Sequence, residues 1–252
     1  MNKNSLSLTK KLMLGFAVPV VCIMIIAGIV HKNTSNLLIS NGWVNHTHEA
    51  IRDANLIMAA MVDRETGMRG FLVTGVDEFL EPYIKGGDAF KEKITALKQK
   101  VSDNPPQVER LQAIESMAAQ WVSNVAEPAI ALRRTVSLES DPSEYLAVWE
   151  FAKAGKGKKS MDGIRTKIAE FIAIENKLID VRIADASSLV ASTNFMTLLG
   201  SLITLVISAV LGFYIVTNIK SDVGGEPSVI SGISKKIADG DLTISSHGQK
   251  VS

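Results

Sequence analysis

LMLGFAVPVVCIMIIAGIV, residues Leu12–Val30, runs without a charged side chain for about 19 residues, the length a helix needs to cross a bilayer core of ~30 Å. A second such run, FMTLLGSLITLVISAVLGFYIVTNI, covers Phe195–Ile219. Both read as transmembrane helices. Lys3, Lys10 and Lys11 ahead of the first run resemble the basic start of a signal peptide. However, the apolar run is too long for one and ends in Ile29-Val30-His31-Lys32, without a small-residue cleavage site. The reading is therefore an uncleaved anchor. Lys10, Lys11 and Lys220 flank the spans on their outer chain ends, so the positive-inside rule puts both termini in the cytoplasm, although Lys32 and Arg182 weaken the asymmetry. The expected organisation is a cytoplasmic 1–11, spans at 12–30 and 195–219, an extracytoplasmic 31–194 and a cytoplasmic 220–252.

Composition excludes several classes. The 252 residues carry 27 Lys and Arg against 26 Asp and Glu, so no overall field gathers nucleic acid. A single cysteine, Cys22, rules out an internal disulfide and a cysteine-rich metal site. The spans hold no Asp, Glu, Lys, Arg or His, which leaves no evident ion path for a transporter.

The segment between the spans has helical rather than alternating periodicity. Leu37, Val44, Ile51, Ala54, Met58, Met61, Met68 and Leu72 recur at spacings of three and four, the seam of a packed helix. A second helix is signalled by Tyr83, Phe90, Ile94, Leu97 and Val101, and a third, after Pro106, by Val108, Leu111, Ile114, Ala118, Trp121 and Val125, with a kink expected at Pro128. A short aromatic segment with Tyr145, Trp149 and Phe151 follows. The last long helix opens at GKGKKS and carries Met161, Ile164, Ile168, Phe171, Leu178 and Leu189. The expected fold is all-α, an up-down-up-down four-helix bundle flanked by two transmembrane helices.

Charges interrupt the seam at DRETGMRGFLVTG, Asp63–Gly75. A carboxylate on a packed seam is costly unless paired. A rise of about 1.5 Å per residue puts Glu65 ~50 Å above Val30, level with residues 161–165 on the descending last helix. Arg165 and, one turn along, Arg69 are thus the expected partners of Glu65. The same register sets Glu175 level with Arg52. The five form an expected structural and signalling network, with packing specification the first reading and a ligand-responsive role the second.

ETGMRGFLVTGVDEFLEPY, Glu65–Tyr83, resembles the signature of the type-three CHASE domain, an extracytoplasmic sensory module of bacterial receptors. Asn104, Pro105, Gln107, Arg110 and Leu111 resemble its NPxQxxRL turn, and MDGIRTKIAEFIAIENKLIDVR, Met161–Arg182, its final helix. GGEPSVISGISKKIADGDLTI, Gly224–Ile244, is similar to the first helix of a HAMP linker, with Pro227 starting it and Ile230, Ile233 and Ile237 as its seam. The GGEP opening is more like chemoreceptors than kinases. The resemblance implies a homodimeric inner-membrane chemoreceptor that passes an external stimulus through the second span to HAMP. The stimulus would arrive as a ligand or on a periplasmic binding protein, and the output would reach a downstream kinase complex. It names no ligand. Only SSHGQKVS follows the HAMP-like helix, so the linker is expected to be incomplete and the cytoplasmic hairpin of a chemoreceptor is not in this sequence. The alternatives are the sensor input of a histidine kinase or diguanylate cyclase, and a two-span interaction protein acting on another receptor.

Other constellations carry less. His31, His46 and His48 do not share a helix face, and GKGKKS lacks the spacing of a phosphate-binding loop. No metal, cofactor or catalytic group is expected, and the chain reads as a non-enzyme. Gly200, Thr204, Ser208 and Gly212 form a small-residue stripe suited to close helix packing. Phe71, Phe79, Tyr83, Tyr145 and Trp149 are expected near one end of the bundle, closing its core or lining a pocket.

Overall fold

The computed structural model describes residues 7–136, 141–223 and 227–240. Among these, every regular element is helical: α1 (Leu8–Thr74), a 3₁₀ turn (Asp77–Leu80), α2 (Glu81–Lys100), α3 (Pro105–Trp121), a π turn (Val122–Ala126), α4 (Glu127–Arg134), α5 (Pro142–Lys153), α6 (Lys156–Val223) and α7 (Pro227–Ala238). The all-α expectation holds. The chain divides into two compact units, Leu38–Ser187 and Met1–Leu37 with Ser188–Ser252.

In the unit formed by Met1–Leu37 and Ser188–Ser252, the apolar runs lie on α1 and α6. Both are long and apolar enough to cross a membrane. Phe16, Leu198 and Phe213 are 75%, 72% and 74% exposed, an apolar surface that suits lipid. The two segments touch where side chains are small: Gly15 meets Ile215, and Gly200 sits against Ile26. Asn33 donates from Nδ2 to Thr193 Oγ1 at 2.9 Å. Of the small-residue stripe, Gly200 therefore packs within the chain, Thr204 and Ser208 donate to carbonyls of their own helix, and Gly212 faces open space.

Leu38–Ser187 is a helical bundle. Its core takes Ala54, Ile57 and Met61 from α1, Ile94 and Leu97 from α2, Leu111, Ile114 and Trp121 from α3, and Met161, Ile164 and Phe171 from α6. Contacts between neighbours run antiparallel: Gly67 of α1 faces Tyr83 at the start of α2, while Asp53 and Glu49 meet Lys100 at its end. Against α6, Gln107 of α3 meets Glu175, Met117 meets Gly163 and Val125 of the π turn meets Gly157.

The punctuation follows from local chemistry. Gly75 adopts φ +71° just after α1 and donates to Phe71 O at 2.7 Å, the left-handed stop that a side chain resists. Pro105 and Pro106 open α3, one residue earlier than the spacing predicts, because a first helical turn needs no donor there. Where the sequence suggests a kink, the helix is interrupted: Pro128 follows a π turn in which Glu127 N–H reaches Val122 O. The wider turn accommodates a proline that can neither donate nor tolerate the carbonyl four residues back. Gly240, φ +82°, ends α7. The GGEP opening before Pro227, the Asp241 and Leu242 of the GDL match, and the side chains of Pro227, Ile230 and Ile233 lie outside the described residues; Ile237 is half-exposed.

Candidate functional site

The end of the bundle where α1 finishes and α6 begins carries the charges and glycines that interrupt the seam. The glycines permit close approach. A Cβ on Gly67 would stand 2.5 Å from Tyr83 N, and one on Gly86 would stand 2.7 Å from Ala60 O. That contact lays Arg64 over two rings, its guanidinium carbon 5.1 Å from the centre of Tyr83 and 5.6 Å from that of Trp121. Tyr83 donates to Glu127 Oε1 at 2.6 Å. Its burial, and then the Glu127 carboxylate it would have to approach as an anion, push the phenol up to about 12. Arg133, 8% exposed, donates to Leu72 O at 3.1 Å and Val136 O at 2.8 Å, answering carbonyls near the ends of α1 and α4.

Beside this packed layer lies a cavity of about 550 Å³ between α1, the π turn, α5 and the start of α6. Met68, Val125, Ala129 and Met161 form a buried floor, with Leu72 and Phe151 half-buried at its edge. Glu65, Arg69, Lys158, Asp162 and Arg165 form a polar rim. Asp162 receives the Lys158 ammonium and Arg165 Nη1, the latter at 2.6 Å, and Lys158 first, with Arg165, outweighs burial and holds its carboxyl below the usual range.

The register argument brings Glu65 and Arg165 to one cavity, but not every partner is the expected one. Arg165 turns to Asp162, three residues back on its own helix, and Glu65 pairs with the expected Arg69, at 4.0 Å. Glu175 is 2% exposed, and its donor is Gln107 Nε2 at 2.7 Å, not Arg52. Arg52 is exposed and pairs with Asp53 at 3.2 Å. Gln107 in turn accepts from Arg110 Nη1 at 3.2 Å, so two residues of the NPxQxxRL turn form a polar chain that ends on the buried carboxylate. Asp162 and Gln107 escape a search for opposite charges on different helices, since one pairs locally and the other is neutral. The spacing of Gln107 and Arg110, three apart on one helix, was the available signal.

The aromatic residues expected near one end of the bundle lie at the end where α1 finishes, each in its own contact. Phe71 is buried, Phe79 covers Gly70, Tyr83 meets Trp121, Tyr145 lies beside Arg133 and Trp149 beside Lys153. At the other end of the bundle, Lys100 Nζ reaches Asp53 at 2.5 Å and Glu49 at 3.1 Å. Burial alone would raise the Asp53 carboxyl and lower the Lys100 ammonium; their mutual contact outweighs this, lowering the first and raising the second. His46 Nε2 meets the Lys100 carbonyl at 2.8 Å, and Arg182 donates to Trp43 O at 3.0 Å and to Thr47 Oγ1. Among the described residues, no three His, Cys, Asp or Glu side chains gather as metal ligands.

A helical bundle of this kind defines a class by its fold, the all-α bundle domains. Residues 40–185 match the family model of the CHASE3 domain. The chain belongs to the CHASE3 domain family and carries its sensor domain. No curated protein matches the chain. Among solved structures, the crystal structure of the Rhodopseudomonas palustris histidine kinase HK9 sensor domain is similar at 20% identity and a TM-score of 0.45, covering 52% of this chain and 97% of that one.

Proposed function

We propose that the chain is the sensing and membrane-crossing part of a bacterial chemoreceptor, a homodimer of the inner membrane with both termini in the cytoplasm and residues 31–194 outside. An external stimulus, free or on a periplasmic binding protein, favours one packing of α6 against α1, and the displacement passes along α6 to a HAMP linker and a kinase complex. The chain itself performs no catalysis. A stimulus moves such an equilibrium only as far as it distinguishes the two packings.

The observation that carries the reading is the CHASE3 match on a bundle whose first and last helices are α1 and α6, the helices that also bear the two apolar runs. GGEP and GDL around α7 favour chemotaxis over other outputs. Two experiments test it. Cysteine pairs placed along α1 at 40–60 and α6 at 168–187, in a chain lacking Cys22, are expected to change their cross-linking rates when cells meet the stimulus; identical rates with and without it contradict the mechanism. Reading the gene beyond codon 252 is expected to show a second HAMP helix and a long helical hairpin, whereas a kinase or cyclase domain there replaces chemotaxis with that output.

A further inference from the structure

At the end where Lys100 meets α1, the bundle thins to two helices. α2 stops at Lys100, whose carbonyl meets His46, and α3 enters with Gln107 on Glu175. Past those contacts only α1 and α6 run on, and no residue among 38–46 or 180–187 is buried. Leu38, Ile39, Val181 and Ile183 all lie exposed. Hydrophobic attraction scales with the area removed from water and has no direction, so it holds these two stretches weakly and does not fix how far one stands along the other.

A polar contact does. Arg182 of α6 donates through Nη1 to Trp43 O at 3.0 Å and to Thr47 Oγ1, and its guanidinium carbon lies 5.0 Å from the centre of the Trp43 ring. Thr47 is fully buried, and its hydroxyl donates to the same Trp43 carbonyl at 3.0 Å, which leaves its lone pairs for the arginine. Three contacts thus converge on a single turn of α1. The neighbouring turns offer no substitute. One turn either way, the place of Thr47 falls to Trp43 or Ile51, which carry no hydroxyl, and the place of the Trp43 ring falls to Ile39 or Thr47, which carry no ring. A slip of α6 by one turn, about 5.4 Å, therefore forfeits both.

We infer that Arg182 is the positioning residue that sets the axial offset between α1 and α6, and that signalling displaces α6 by releasing it. The second half rests on the sensory reading above and names the contact which that mechanism must break. Because the clasp favours one offset, its strength sets how far the resting equilibrium leans to that side.

The test is the ladder of cysteine pairs along α1 at 40–60 and α6 at 168–187, in the full chain lacking Cys22, with Trp43, Thr47 and Arg182 left in place and no stimulus added. In the parent, cross-linking within the chain is expected to be fastest for pairs in register with the clasp. In Arg182→Gln, pairs one turn out of register are expected to gain on these by about tenfold or more, the shift that loss of one hydrogen bond from a charged donor produces. Thr47→Val, which keeps the shape and removes only the hydroxyl, is expected to shift the ladder the same way. Arg182→Lys keeps the charge and a donor, and is expected to hold closer to the parent than Arg182→Gln. A merely structural arginine lowers the melting temperature and leaves the ratio of in-register to out-of-register rates where it was. An unchanged ratio in both Arg182→Gln and Thr47→Val overturns the proposal, as does a shift in Arg182→Lys as large as that in Arg182→Gln. No stimulus enters this measurement, so an unchanged ladder removes the clasp and leaves the sensory reading standing. A ladder that shifts in Arg182→Gln, but not when the parent meets its stimulus, supports the offset role and contradicts the sensory mechanism.

Discussion

Replacing Gln107 by Leu isolates the buried carboxylate of Glu175 in the bundle core. Gln107 is fully buried and Glu175 is 2% exposed, and the 2.7 Å bond between them is the only hydrogen bond to that carboxylate among the described residues. Without its donor, Glu175 is a buried acceptor left unsatisfied, a change worth about 1–3 kcal/mol. At about 2–4 °C per kcal/mol for a unit of this size, the melting temperature is expected to fall by about 2–12 °C. Tryptophan emission is the assay, since Trp43, the buried Trp121 and Trp149 all lie in Leu38–Ser187 and do not report on the apolar segments of the other unit. Glu175→Gln keeps an acceptor and removes the charge, so it is expected to be close to neutral. The double variant Gln107→Leu/Glu175→Leu replaces the pair by packed hydrocarbon and is expected to recover most of the loss, or exceed the parent. A Gln107→Leu chain melting within about 2 °C of the parent, or a double variant no better than the single, refutes the reasoning.

Gly86→Leu places a side chain where a Cβ already stands 2.7 Å from Ala60 O; it is expected to cost about 1–3 kcal/mol or more by forcing α1 and α2 apart, measured by chemical denaturation. Tyr83 is expected to ionise near 12 by absorbance titration, a step missing in Tyr83→Phe. Because its folded value is raised, the stabilisation is whole below about 10, the free-phenol value, and is lost as pH climbs towards 12. Asp53 behaves oppositely. Its folded carboxyl is depressed by Lys100, so its contribution is present above the ordinary carboxylate value of 3.8 and is lost as pH falls through the folded value, and an Asp53→Asn chain is expected to show a shallower acid transition.

Much of the fold was legible because period and punctuation agree. The seam through Ala54, Met61 and Met68 is buried, and α6 begins at the predicted GKGKKS stretch. Height along the bundle was legible too, since rise per residue is nearly constant, and it brought Glu65 and Arg165 to one cavity. Direction around the helix was not. Each residue turns the side chain by about 100°, so a residue at the right height faces another neighbour after an error of one position. Glu175 stands near the height of Arg52 yet faces α3 and Gln107. Arg165 found Asp162 because a local partner needs no register at all. The cavity itself was not legible, as its floor depends on the π turn ahead of Pro128, which no periodicity announces.

The central claim is that the bundle stands outside the cytoplasm between two membrane spans. Cys22 is the chain's single cysteine, so Cys22→Ala with Asp103→Cys leaves one thiol, on the exposed turn between α2 and α3. Treating intact cells with a maleimide that cannot cross the inner membrane is expected to label Asp103→Cys fully. Labelling that appears only after the cells are lysed contradicts the claim.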